Sequence, residues 1–434
     1  GGLLTHVGCS NHRFESTTSS VFNGRSLGAL SLARGVVGRY KQSSQMAARL
    51  SAMCGILEMP KLSVVQDVET RWWSTWAMIN RLLYLKKPIQ QHESIDNINP
   101  LLSETDWEVL RLIDPLLEPF MSAQKKLEGA RYVTGSLVIP EVAMMRVGLK
   151  GAIEDLRDVL PPGLAVATRA AMEIVRPDAE ALWSDFTNRW GDGSSILEYK
   201  EGRRRQPQGF KLQQVFATAL DPRAKHLYGI HPQEQPNVWR AVASEAVESA
   251  LRKQASDKTA LPVRSPSGES AVETLPVTGA GSRDPKRSRL NPFEAATAAH
   301  AAGAGAGSIA DESTDEVWER LSTIVDMEVS AFKTAPGLSV SKEVEGATVY
   351  NDPLDWWRKK EREYPLLAAL ARRVLAIPAS QAQSERMFST AGLVVTPTRN
   401  RLLAENVELL VYLRNVWNVV DEWRKSASKK SASK

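Results

Sequence analysis

The stretch "DPLDWWRKKEREYPLLAALARRVLAIPASQAQSERMFSTAGLVVTPTRNRLLAENVELLVYLRNVW" (Asp352 to Trp417) decides how this chain is read. Its apolar residues recur at steps of three and four, so it reads as short amphipathic helices broken at Pro365 and at the Ile377–Ser380 turn. Closing it, Val407, Leu410, Val411, Arg414 and Trp417 step along one side of a helix and form a mainly apolar stripe. Such a stripe packs into a core or meets a partner, and periodicity does not separate the two. Within the stretch, one carboxylate, Glu385, sits between Ser384 and Arg386. It has three readings: a helix-terminus acid, a local pair with Arg386, or a metal ligand.

Working outward, the chain has 434 residues, 43% hydrophobic and 24% charged, enough apolar material for two or three compact units. No run approaches the roughly 18 to 20 apolar residues of a membrane helix, and "GGLLTHVGCSNHRFES" lacks a signal-peptide core. The chain does not begin with methionine and is expected to be a fragment, a processed chain or an incomplete gene product. Two cysteines, Cys9 and Cys54, exclude a disulfide framework and point to reducing surroundings. The net charge of +5 is modest but clustered in Lys200–Gln206, Arg283–Arg289 and Arg424–Lys434. Such runs are solvated surface or polyanion contacts, and "PKRSR" fits a nuclear localisation signal.

Residues 256–313, rich in Ala, Gly, Ser, Pro and Thr, are expected to be a disordered linker, since they bury too little to offset the entropy of ordering. Before it the periodicity predicts helices, including one opened by Ser103 with Asp106 three residues on, a capping pattern. Only Leu62–Val68 reads as strand. After the linker come a helix over "DEVWERLSTIVDMEVSAF", the broken "DPLDWW…LAI" pair and the closing helix.

Taken in order, a Pro-X-X-Trp-Trp, a Tyr-Pro, an Ile-Pro-Ala-Ser, Ser-Glu-Arg-X-Phe-Ser followed by Ala-Gly, an Arg-Asn-Arg-Leu and a Val-Glu-X-Leu resemble the C-terminal dimerisation region of hAT-superfamily transposases. Far upstream, "VVGRYKQSSQMAARL" and "LSVVQDVETRWWSTWAMINRLL" resemble the family's Asp-Val-X-Thr-Arg-Trp-X-Ser-Thr region. The resemblance implies a mainly α fold: a remnant of an RNase H-like α/β core interrupted by a large all-helical insertion, with a C-terminal helical dimerisation region. The expected segments are a truncated core remnant (1–68), the helical insertion (69–255), the linker (256–313), the dimerisation region carrying the third carboxylate (314–425) and a basic tail (426–434).

The same resemblance makes Glu385 the third of three carboxylates that hold Mg²⁺ in the intact family. It makes Trp72 a base-stacking residue, where paired tryptophans otherwise pack into a core, and sets Arg71 beside it as a phosphate contact; Arg399 and Arg401 read as contacts to DNA or as surface residues. Leu366, Leu370, Val374, Phe388, Val407, Leu410, Val411 and Trp417 become the dimerisation candidates. Met387 and Phe388 also read as apolar packing positions, Gly392 as a helix C-cap, and the Trp356–Trp357 pair as an anchor onto the core. "CSNH" (Cys9, His12) is a weak match to the family's Cys-X-X-His, and no aspartate precedes Asp67. Glu385 is therefore expected to stand without metal-binding partners, so that the chain binds no cofactor as given. Zinc is not expected, because Cys9 and His12 lack a second Cys/His pair.

The expectation is a nuclear, hAT transposase-derived protein that homodimerises or forms a higher homo-oligomer, binds DNA and is catalytically incomplete. Alternatives are the C-terminal part of an active cut-and-paste transposase and a domesticated helical interaction protein. Residues 1–60, deprived of a sheet, are expected to be poorly packed.

Overall fold

The computed structural model describes residues 9–68, 72–129, 132–157, 165–194, 200–201, 207–259, 314–344, 347–395, 402–414, 416–417 and 421. It is mainly helical, and the chain divides into two compact units: Gly1–Thr218 with Leu227–His231 and Ala376–Lys434, and Ala219–His226 with Pro232–Leu375. The segment expected to form one dimerisation region thus supplies both units. Its last part, from Ala376, joins the first.

In the first unit, α1 (Ser10–Phe22), α2 (Leu27–Gln42) and α3 (Ser44–Ile56) lead to the long helices α4 (Trp72–Ile95), α5 (Glu104–Leu127), α6 (Val138–Arg157) and α7 (Val166–Trp190). A two-residue hairpin, β1 (Lys200–Glu201) with β2 (Pro207–Gln208), and α8 (Leu212–Ala219) follow. The capping pattern is realised: Ser103 accepts from Asp106 N, and the Asp106 carboxylate accepts from Ser103 N. Helix α5 is the hub because its apolar positions recur on a wide face, with Trp107, Leu110, Ile113, Leu117 and Phe120 all buried. The Phe120 ring meets Phe14 at 6.0 Å, Trp72 at 6.2 Å and Phe186 at 6.1 Å, all edge-on, the arrangement aromatic quadrupoles favour.

The poorly packed N-terminal third is not found. Phe14, Leu30, Val36, Val37 and Cys54 are buried, so helices α1 to α3 have a core without any sheet. Nor is the strand at Leu62–Val68: this segment is irregular, and its polar groups go to helices. Asp67 pairs with Arg34 at 2.8 Å and accepts from Thr75 Oγ1, while Val68 N donates to Ser74 Oγ at 2.8 Å. Aspartate, valine, serine and threonine of the upstream motif thereby tie the chain to the start of α4.

The second unit contains α9 (Gln235–Thr259), α10 (Thr314–Thr334), the hairpin β3 (Ser341–Val344) with β4 (Ala347–Tyr350), α11 (Pro353–Lys360) and α12 (Pro365–Leu375). Residues 256–259 continue α9, and 260–313, the rest of the expected linker, lie outside the described residues. Phe332 centres an aromatic cluster with Trp239, Trp356, Trp357 and Tyr364. Trp357 is an anchor: it is 1% exposed and its indole N–H donates to Leu220 O at 2.7 Å. Its seat is this cluster rather than an RNase H-like core.

At the head of α12, the fully buried Glu328 carboxylate accepts from Leu366 N at 3.2 Å and Leu367 N at 2.8 Å. Those two amides are among the donors that a helix N-terminus leaves unsatisfied. Burial pushes the carboxyl up to about 7, against the pull of the two amides.

Candidate functional site

The Ile377–Ser380 turn brings the C-terminal segment into the first unit and is held there by hydrogen bonds. Ser10 N donates to Ala379 O at 3.0 Å, Ala379 N to Thr134 Oγ1 at 3.1 Å, and Ser380 Oγ to Leu127 O at 3.2 Å. A Cβ on Gly135 would lie 2.2 Å from the Ile377 carbonyl oxygen, so only glycine lets the two backbones approach. From this clamp α13 (Ala382–Val394) starts, with Gln381 rather than Ser380 at the N-cap and Glu385 in the first turn.

That placement corrects the expectation that Glu385 is unpartnered. His12 Nε2 lies 3.7 Å from Glu385 Oε1, and the Gln381 amide donates to Cys9 Sγ at 3.3 Å. Ligand atoms of Cys9, His12 and Glu385 all lie within 4.8 Å of one another. Cys9 is the N-cap residue of α1 and His12 follows one turn on, so the two "CSNH" side chains share a face. Cys9 is buried, whereas the His12 and Glu385 side chains are more than half exposed. Sequence reasoning had Cys9, His12 and Glu385 separately. Their convergence across some 370 positions carries no local signal.

Mg²⁺, the ion implied by the resemblance, does not fit this cluster. It prefers an octahedron of oxygens, and here, among the described residues, one carboxylate meets a sulfur and an imidazole.

Trp72 is 5% exposed, edge-on to Phe120, so of its two readings the packing one describes this conformation. A ring closed into the core offers no face to a base. Trp73 is 37% exposed. Arg71, Arg399 and Arg401 lie outside the described residues, as do most of the basic runs and the tail.

The interface candidates separate into two sets. Leu370 and Val374 on α12 are fully buried and Leu366 is half-buried, so this helix is core to its own unit. On α13, by contrast, Met387 is 48% and Phe388 76% exposed, which corrects their reading as packing positions. The helix touches its unit near its ends, through Ala382 and Val394, and Gly392 lies inside it rather than capping it. The closing helix, α14 (404–414), buries Val411 and half-buries Val407, but leaves Leu409, Leu410, Tyr412 and Leu413 exposed, with Trp417 exposed beyond it. Between α13 and α14 runs an open groove of about 1300 Å³, lined by Met387, Phe388, Val407, Leu409, Val411 and Tyr412. Arg386, Glu405 and Glu408 also border it. Contiguous exposed apolar side chains of this kind are characteristic of surfaces at which proteins meet partners.

Comparison with known proteins places α12 and the α13–α14 pair in one matched region. Residues 339–416 match the hAT family C-terminal dimerisation region, and residues 8–115 match the ZBED1 RNase-like helical domain. A human protein, zinc finger BED domain-containing protein 4, is 23% identical over 95% of this chain, which covers 29% of that protein. The putative AC transposase of Zea mays is 53% identical over 14% of this chain and 7% of its own length. Zinc finger BED domain-containing protein RICESLEEPER 2 of Oryza sativa subsp. japonica is 22% identical over 82% of this chain and 43% of its own length. The chain therefore spans less than half of each of these relatives. The chain thus carries, in this order, a region matching the ZBED1 RNase-like helical domain and a region matching the hAT family C-terminal dimerisation region, with an exposed apolar groove in the latter.

Proposed function

We propose that the chain acts as a self-associating, DNA-contacting part of a transposase-derived protein in the nucleus, its copies joined through the groove between α13 and α14. The observation that carries this reading is the exposed apolar surface of Met387, Phe388, Leu409, Leu410 and Tyr412 inside the matched dimerisation region. Arg386 with Glu405 and Glu408 gives the groove's border both signs of charge, as a self-complementary patch needs. DNA contact is supported by two relatives named for BED zinc fingers and by the net charge of +5. The expected RNase H-like ancestry of residues 1–68 belongs to the same proposal and rests on the match to an RNase-like helical domain.

Two copies with different affinity tags, co-expressed and purified on both, test the association. Recovery of both tags is expected, and recovery of one alone at micromolar protein overturns it. Fluorescence anisotropy on duplex DNA across a salt series tests the second part. The expected log–log slope is steep and negative, because phosphate contacts release counterions. Absence of binding at low salt would leave a helical interaction protein with no nucleic-acid role.

A further inference from the structure

We propose that Cys9, His12 and Glu385 form a mononuclear site for a borderline divalent transition metal, zinc foremost, with water completing the coordination. The donor types carry the first part of the argument. A thiolate, an imidazole and a carboxylate are each ordinary zinc ligands, and three protein ligands plus water is the arrangement of open zinc sites. Soft and borderline donors select zinc-like ions over Mg²⁺.

Geometry carries the second part. Zinc bond lengths of about 2.0–2.3 Å in a tetrahedron place ligand atoms about 3.3–3.8 Å apart. His12 Nε2 and Glu385 Oε1 are already at 3.7 Å, and all three ligand atoms lie within 4.8 Å of one another. Closing the remainder takes side-chain rotation, which the exposed His12 and Glu385 are free to make. Cys9 needs no such freedom, because the clamp described above fixes it: Ser10 N is bonded to Ala379 O, and the Gln381 amide points at the sulfur. Outer hydrogen bonds of this kind orient metal ligands. The buried cysteine closes the site on one side, and the exposed pair leaves it open to an entering ion.

A metal here would join the first turns of α1 and α13, helices held together otherwise by the clamp and the Cys9 contact. It would also occupy the Glu385 carboxylate with ligands unsuited to Mg²⁺. The competing account is a plain His12–Glu385 surface ion pair, which needs neither Cys9 nor a metal.

Co²⁺ titrated into the metal-free full chain distinguishes the two. One equivalent is expected to give a thiolate-to-cobalt charge-transfer band and the intense visible bands of four-coordinate cobalt, both erased by one equivalent of Zn²⁺. Cys54→Ser keeps the bands and Cys9→Ser loses them. His12→Ala and Glu385→Gln, at exposed positions, keep the wild-type circular dichroism and bind at least about tenfold more weakly. The proposal is overturned by a wild type that binds neither ion, by thiolate bands that survive in Cys9→Ser, or by unchanged affinity in both His12→Ala and Glu385→Gln. The last two variants fold whether or not Cys9→Ser does, so the test stands on them alone.

Discussion

Helix α12 and the α13–α14 pair have the same kind of amphipathic sequence, yet opposite surroundings. Leu367, Leu370, Val374 and Leu375 of α12 are closed into the second unit, and Glu328 satisfies two amides at its head. Met387, Phe388, Leu409 and Tyr412, in α13 and α14, stand in solvent along a groove of the first unit. Both lie within residues 339–416, the matched dimerisation region. One matched region thus has two parts with different surroundings: one builds the protomer, and the other is the surface proposed above to meet a second copy.

The largest expected effect comes from α12. Leu370→Asp buries an unpaired charge in a full core and should cost more than about 4 kcal/mol, unfolding the second unit. Loss of the α9–α12 part of the urea transition would show this. A stable Leu370→Asp that only dissociates would reverse the assignment of α12.

Next is the seat of α12. The Glu328 carboxyl is raised from about 4.5 to about 7 in the fold, so between these pH values the folded state holds the proton more tightly than the unfolded chain. Stability of the second unit from this group is therefore full at low pH and falls as pH rises towards about 7, by roughly 3 kcal/mol in all. Urea melts at pH 5 and pH 8 measure the drop, and Glu328→Gln should flatten it. An equal drop in the variant would assign the dependence to other groups.

A smaller effect is expected in the groove. Tyr412→Ala removes an aromatic ring that is 60% exposed in the protomer, so stability should change by no more than about 0.5 kcal/mol. Self-association should weaken by about 1–2 kcal/mol, roughly tenfold in the dimer constant. A dilution series by light scattering reads the second number and thermal melts the first.

Much of this fold was legible in the sequence. Ser103 and Asp106 gave the capped start of α5, Pro365 the start of α12, and apolar spacing the helices on either side of residues 260–313. The Ile-Pro-Ala-Ser motif was visible, but its role was not, because the Ala379 carbonyl, the Ser380 hydroxyl and the Ala379 amide find partners in α1, α5 and the turn before α6. Periodicity marked the stripes of α12, α13 and α14 without saying which one meets water, since that depends on neighbours distant in the chain. Leu62–Val68 misled because β-branched residues suggest a strand, while Asp67 and Val68 are committed to Arg34, Thr75 and Ser74. Glu385 was singled out for its motif. Its neighbours Cys9 and His12 came from the opposite end of the chain, a proximity that only the folded backbone reveals.

Sedimentation velocity on wild type and Phe388→Asp, side by side at micromolar concentration, asks whether two copies meet on the α13–α14 groove. A dimer or higher oligomer is expected for the wild type and a monomer for the variant, with the same circular dichroism and a melting temperature lowered only by the loss of association. Equal sedimentation of the two, or an unfolded variant, would contradict the assignment of the α13–α14 groove as the surface on which two copies meet.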